Sequence, residues 1–157
     1  MNQDAKHILD AALRDALPGA AVGQALDQIA FQPGGRLILV AAGKAAWEMA
    51  RAAHERLGGR IDAGVGVTKY DYSRGPLGSL EIYEAGHPVP DENSYRATAR
   101  ALEVVSGLTE ADSVLFLLSG GGSALFEQPL IPAGELADIT RQLLACGANI
   151  VEINTLR

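Results

Sequence analysis

"LILVAAGKAAWEMARAAHERLGG", residues 37–59, decides the fold. Its opening, Leu37 to Ala41, is a continuous β-favouring run of the kind found in strands buried on both faces. Gly43 follows. Beyond it Ala46, Met49, Ala50, Ala53 and Leu57 recur on one face at helical spacing, and Gly58-Gly59 ends the helix. A buried strand that feeds an amphipathic helix is the building unit of a layered α/β sheet.

The same alternation extends in both directions. Upstream, Ile8, Leu9, Ala12, Leu13, Ala16 and Leu17 form the apolar stripe of a helix over Asp4 to Leu17, stopped by Pro18-Gly19. A second short helix is predicted over Val22 to Ala30, before "FQPGG". Downstream, "IDAGVGVT" reads as a second strand and "LEIYEA" as a third. "DENSYRATARALEVVSG" reads as a helix with Tyr95, Thr98, Ala99, Leu102 and Val105 inward. Val114 to Leu118 has the length and composition of a fourth buried strand. Leu136, Ile139, Thr140, Leu143 and Leu144 mark a helix ended by Gly147, and "ANIVEINTLR" starts another.

The pattern predicts an α/β, Rossmann-like layered fold with a mostly parallel sheet and helices on both faces. One link is irregular: "KYDYSRGPLGS" joins strands two and three without a helix. Either the crossover is irregular or the third strand runs antiparallel.

Composition bounds the function. The chain has 157 residues, 48% of them apolar and 20% charged, which fits one domain with a substantial core. A net charge of −6 and a pI near 5.0 argue against nucleic acid as a partner. A local site may still be positive, so small anionic substrates remain open. Cys146 is the only cysteine, so no intrachain disulfide forms, and a reducing cytoplasm is the expected setting. "MNQDAKHILDAALRDAL" has no apolar core of a signal peptide, and no run approaches the roughly 18–20 apolar residues that cross a bilayer.

A doubly wound sheet of this chain takes the order 3-2-1-4, with a switch point between strands one and four. Ligands bind there, outside the carboxyl ends of the strands. Two glycine-marked turns leave those ends: "AAGKAA" (Ala41 to Ala46) and "SGGGSA" (Ser119 to Ala124). Without side chains at Gly120, Gly121 and Gly122, successive amides can converge on an anion, with Ser119 and Ser123 adding hydroxyls. Pro129 and Pro132 keep the following helix short, so the loop amides carry the binding. A loop that needs glycine for packing alone is the competing reading. Lys44, next to Gly43, is placed to neutralise a phosphate or a carboxylate. In "GHPVPDENS" (Gly86 to Ser94), Asp91 or Asn93 would cap the next helix, and His87 would face the crevice as a substrate contact.

Other motifs fail. Lys44 is followed by Ala45, so no P-loop forms, and Leu125 breaks the dinucleotide-binding glycine pattern. No G-x-S-x-G elbow is present, and His54-Glu55 has no second histidine at Gly58. Three scattered histidines argue against zinc, and no metal ligand stands out.

With these residues in view, the chain resembles the amino-terminal part of the class II glycerate kinases (glycerate 2-kinases), some of which carry the name hydroxypyruvate reductase. "AAGKAAWEMA", "GHPVPDENS", "LLSGGGSAL" and "CGANIVEINTLR" carry the resemblance, in the family's order. It implies transfer of a phosphoryl group from ATP, with Mg²⁺, to the 2-hydroxyl of D-glycerate. It also implies two α/β domains with the active site between them. The lysine matching Lys44 is essential there and acts with an arginine from the later domain, while the loop Ser119 to Ser123 lines the same cleft; Gly43, Ser119, Gly120, Gly121, Gly122 and Ser123 are the phosphate- or substrate-binding candidates. The expected organisation is therefore one incomplete amino-terminal domain over residues 1–157, with the second domain absent. Little activity and some self-association through uncovered surface are expected of such a piece alone. A non-catalytic domain that binds phosphate, sugar phosphate or nucleotide is the alternative. Hydroxypyruvate reduction would need a nicotinamide fingerprint that the sequence lacks.

Overall fold

Leu37–Ala42 forms β1, the one strand buried at every position. A computed structural model describes residues 2–156; Met1 and Arg157, the ends of the predicted domain, lie outside them. Along the chain come α1 (Gln3–Ala16), α2 (Pro18–Leu26), β1, α3 (Ala46–Leu57), β2 (Ala63–Lys69) and β3 (Leu80–Ala85). Then follow α4 (Glu92–Val104), β4 (Ser113–Leu118), α5 (Gly122–Leu125), α6 (Ala133–Ala145) and α7 (Ile150–Leu156). The sheet order is β3-β2-β1-β4, and all three pairings are parallel. The switch point therefore falls between β1 and β4, as the sequence predicts.

The period of two along β1 divides its side chains between two layers. Leu37, Leu39 and Ala41 pack with α2 and α3, through Val22, Leu26, Ala46, Ala50 and Ala53. Ala42 joins Val67, Ala85, Ala97 and Leu125, while Ile38 and Val40 meet Val65 and Ala101, on the side of α4 and α5. Each large aliphatic side chain buried here contributes about 1.5–3 kcal/mol. Helices thus cover both faces.

β3 is parallel, which resolves the irregular link. Residues 70–79 cross the α3 side of the sheet without a helix. The Trp47 indole donates to the Gly75 carbonyl at 2.8 Å, and the Ser73 amide donates to Glu84 Oε1 at 2.8 Å.

Four expectations are corrected. The first helix does stop before Pro18, with Leu17 extended, but Pro18 also begins α2. It sits at the first helical turn, where its missing N–H has no helical partner to lose, so α2 covers Pro18–Leu26 and not Val22 to Ala30. The α1 stripe is uncovered: Ile8, Leu9, Leu13 and Leu17 are exposed, and no α1 residue is buried. Periodicity reveals an amphipathic face, not what lies against it. β4 is an edge strand that leaves Val114, Phe116 and Leu118 exposed on one face. On α4, Ser94, Ala97, Thr98 and Ala101 face the sheet, whereas Ala99 and Leu102 point outward. Small side chains let that helix lie close to the strands, so size outweighs hydrophobicity in choosing its inner face.

Candidate functional site

The turns after β1 and β4 are laced together. The Gly43 amide donates to the Val67 carbonyl at 3.1 Å, and the Ser119 amide to the Ala42 carbonyl at 2.9 Å. The Ser119 hydroxyl accepts from the Ala45 amide at 3.0 Å and donates to the Ala42 carbonyl at 3.4 Å. Its proton is therefore committed within the protein. The Lys44 amide donates to the Gly120 carbonyl at 2.9 Å, and the Thr68 hydroxyl donates to the Lys44 carbonyl at 3.2 Å. Both backbone groups of Lys44 are fixed, while its side chain is exposed. Gly43 is required at this junction: its φ is +114°, and a Cβ would lie 2.3 Å from Ser119 Oγ.

The amides of Gly120, Gly121 and Gly122 have no acceptor among the described residues. Three successive free donors are what an anion-binding nest requires. The turn of α5 that follows has only four residues, so its dipole adds little. Ser123 sits exposed within it. Gly121 has a φ of +89°, and a Cβ there would come within 2.8 Å of His87 Cδ2 and Nε2 and 3.4 Å of Lys44 Cγ. The predicted lysine, glycine loop and histidine are thus brought together.

His87 is held by its loop. Asp91 caps α4 by accepting from the Ser94 amide at 3.1 Å, and Ser94 Oγ accepts from the Asp91 amide at 3.2 Å. The Tyr70 hydroxyl donates to Asp91 Oδ2 at 2.7 Å, and Asn93 donates to Tyr70 and to the Glu84 carbonyl, each at 3.0 Å. Of the two capping candidates, Asp91 takes the cap. Partial burial, then the charges of Lys44 and Lys69, push the His87 pKa below 6.5, which favours neutral imidazole at pH 7.

Two cations at this rim escaped the sequence reading. Lys69 ends β2 with its ammonium 5.3 Å from the Tyr72 ring, and Arg74 lies in the helix-free crossover. Lys44, Lys69 and Arg74 form none of the ion pairs among the described residues. A protein of net charge −6 thus gathers basic side chains without close ion pairs near the carboxyl ends of β1 and β2, although the charge of Arg74 acts on Glu48. The available signal was the basic and aromatic residues in "KYDYSRGPLGS", a segment with no helical role. No cluster of three or more His, Cys, Asp or Glu among the described residues is arranged to hold a metal ion. None of the described helices is long and apolar enough to cross a membrane.

Comparison with known proteins places this geometry. The chain is 53% identical over 152 residues to D-glycerate 2-kinase of Thermotoga maritima, covering 96% of this chain and 36% of that protein. It is 46% identical over 129 residues to glycerate 2-kinase of Pyrococcus horikoshii, covering 81% of this chain and 29% of that one. The crystal structure of glycerate kinase from Thermotoga maritima superposes with a TM-score of 0.83 at 52% identity, over 96% of this chain and 36% of that chain. The chain thus spans about a third of the length of the relatives it matches. The model of the family described as "Domain of unknown function (DUF4147)" matches residues 4–157, and the chain belongs to that family.

Proposed function

We propose that this chain supplies the amino-terminal part of a glycerate 2-kinase, which transfers a phosphoryl group from ATP to the 2-hydroxyl of D-glycerate. The observation that carries the reading is the hydrogen bond from the Lys44 amide to the Gly120 carbonyl. It sets an exposed positive charge beside three amides without acceptors, on two turns held together by hydrogen bonds. Phosphoryl transfer depends on positioning and charge neutralisation. Lys44 stabilises negative charge as it develops, and the amides of Gly120 to Gly122 hold phosphate oxygens. Neutral His87 stands beside both as a hydrogen-bonding contact for the acceptor. Gly43 and Ser119 keep the two turns in register, and Ser123 lies at the loop's far end. The described residues offer no cluster of three or more His, Cys, Asp or Glu for Mg²⁺.

The experiment joins this chain to the remaining two thirds of the Thermotoga maritima enzyme and measures phosphoglycerate formation from D-glycerate, ATP and Mg²⁺. Turnover by the chimera, with only traces from the chain alone, supports the reading. An inactive chimera that is folded refutes it.

A further inference from the structure

Beside the Lys44 turn a second concavity opens, and none of its lining residues belongs to the glycine loop. It has a volume of about 250 Å³, and Lys44, Arg74, Glu48, Trp47, Tyr72 and Leu17 contribute to its wall. The crossover between β2 and β3 builds it, because the Trp47–Gly75 hydrogen bond ties that segment over the start of α3. Pockets that hold drug-sized ligands run to roughly 300–1,000 Å³. This one suits a small molecule and not a whole nucleotide.

Its chemistry differs from that of the glycine loop. Arg74 brings a planar fork of donors, a match for the two oxygens of a carboxylate; it makes no close ion pair among the described residues, and its charge acts on Glu48 across the cavity wall. Glu48 brings an acceptor. Arg51 donates to both of its oxygens, which leaves each a further lone pair and holds its pKa below the usual carboxylate value despite partial burial, so it stays ionised. An ionised carboxylate in the wall opposes a dianionic phosphate, yet it accepts hydrogen bonds from hydroxyl groups. The apolar sides of Trp47 and Leu17 enclose a carbon skeleton. The two anion sites therefore differ in their donors: backbone amides without acceptors at the glycine loop, one guanidinium beside one carboxylate here.

We propose that this cavity is the hydroxy-acid subsite, with Arg74 binding the carboxylate and Glu48 accepting from a hydroxyl of the same molecule. Lys44 borders both sites, lining this cavity and lying beside Gly120 and Gly121. The identity of the acid, D-glycerate, rests on the kinase reading above; the preference for a small hydroxy-carboxylate over phosphate does not.

Trp47 is the only tryptophan and lines the cavity, so its fluorescence reports on occupancy. The chain is titrated with sodium D-glycerate, with D-glyceramide, which lacks the charge, and with inorganic phosphate. D-Glycerate is expected to give a saturable change that the amide fails to reproduce and that equimolar phosphate fails to displace. Arg74→Met should weaken D-glycerate binding at least tenfold, with Arg74→Lys in between, and far-ultraviolet circular dichroism checks that both variants are folded. Equal binding of the amide, displacement by phosphate, unchanged binding in folded Arg74→Met, or no response confirmed by calorimetry would each overturn the proposal. The chimera separates this result from the kinase reading. If it turns over and Arg74→Met leaves the KM for D-glycerate unchanged, the subsite falls and the kinase stands. If it is inactive while the chain binds D-glycerate through Arg74, the reverse holds.

Discussion

The Lys44 amide donates to the Gly120 carbonyl at 2.9 Å, a bond between residues 76 positions apart. Strand order places the turns after β1 and β4 side by side, and this bond fixes how they meet. It orients the glycine carbonyl inward, towards Lys44, and leaves the amides of Gly120 to Gly122 without acceptors. The backbone of Lys44 thus does structural work while its ammonium stays available.

That division predicts a clean separation of effects for Lys44→Ala. Its hydrogen bonds to the protein run through backbone atoms, which alanine keeps, and the lost side chain is exposed. Removing one group that stabilises transition-state charge costs roughly 10²–10³ in kcat. The chimera carrying Lys44→Ala is expected to lose turnover by that order, with a melting temperature close to the parent's. Turnover within threefold of the parent would remove Lys44 from the chemistry.

Gly43→Ala should do the opposite and strike stability first. A φ of +114° is strained for any residue with a Cβ, and that Cβ would meet Ser119 Oγ at 2.3 Å and the Ser119 carbonyl oxygen at 2.5 Å. Backbone strain of this type costs on the order of 1–3 kcal/mol before the clash is relieved. Urea denaturation of the chain is expected to show a lower midpoint with an unchanged slope. A midpoint equal to that of the parent would mean that the junction is looser than its geometry implies.

The contrast between these residues shows what the sequence makes legible. Buried runs such as Leu37 to Ala41 and glycine-marked turns are local signals, and together with the parallel-sheet rule they yield the strand order and the meeting of Lys44 with the glycine loop. Asp91 as a cap is local too. What sequence could not supply is what covers a surface. The α1 stripe and the outward face of β4 look like core residues, but no described element packs over them. Arg74 was missed for a related reason: an irregular crossover has no periodicity, so nothing in it reveals which way its side chains lie, and Lys69 ends β2 where the strand runs into that crossover. The sheet-facing side of α4 was misread because close approach to the strands selects Ala97 and Ala101 over Leu102.

At the opposite end of the sheet, Asp112 predicts a response to acid. Its carboxylate accepts from the Thr109 amide at 2.8 Å and from the Arg36 amide at 2.7 Å, which ties the starts of β4 and β1 together. Those backbone hydrogen bonds, with the Arg36 side chain adding to them, hold its pKa at about 2, below the ordinary 3.8. A depressed carboxyl pKa stabilises the native state fully above 3.8, and that stabilisation is lost as the pH falls through 3.8 towards 2. Asp112→Asn should therefore lower the melting temperature at pH 7, with the gap between parent and variant narrowing as the pH drops from 4 towards 2. A constant gap over that range would show that Asp112 acts through packing alone.

His87 predicts a second titration, this time near neutrality. Burial is the largest cause of its lowered pKa, and the charges of Lys44 and Lys69 add to it. A histidine whose native pKa is depressed favours the folded state above 6.5, and this contribution is lost as the pH falls below 6.5 through the native value, because the unfolded chain takes the proton first. Residue-resolved NMR of the imidazoles is expected to give His87 a pKa below 6.5, and Lys44→Met should move it upward while the burial component remains. Gly121→Ala should also raise it, since the added Cβ would lie 2.8 Å from His87 Cδ2 and Nε2 and push the ring towards solvent. His87 titrating at or above 6.5 in the parent, or failing to respond to Lys44→Met, would mean that the imidazole and the ammonium do not share one electrostatic site. The neutral contact assigned to His87 in the transfer would then have no physical basis.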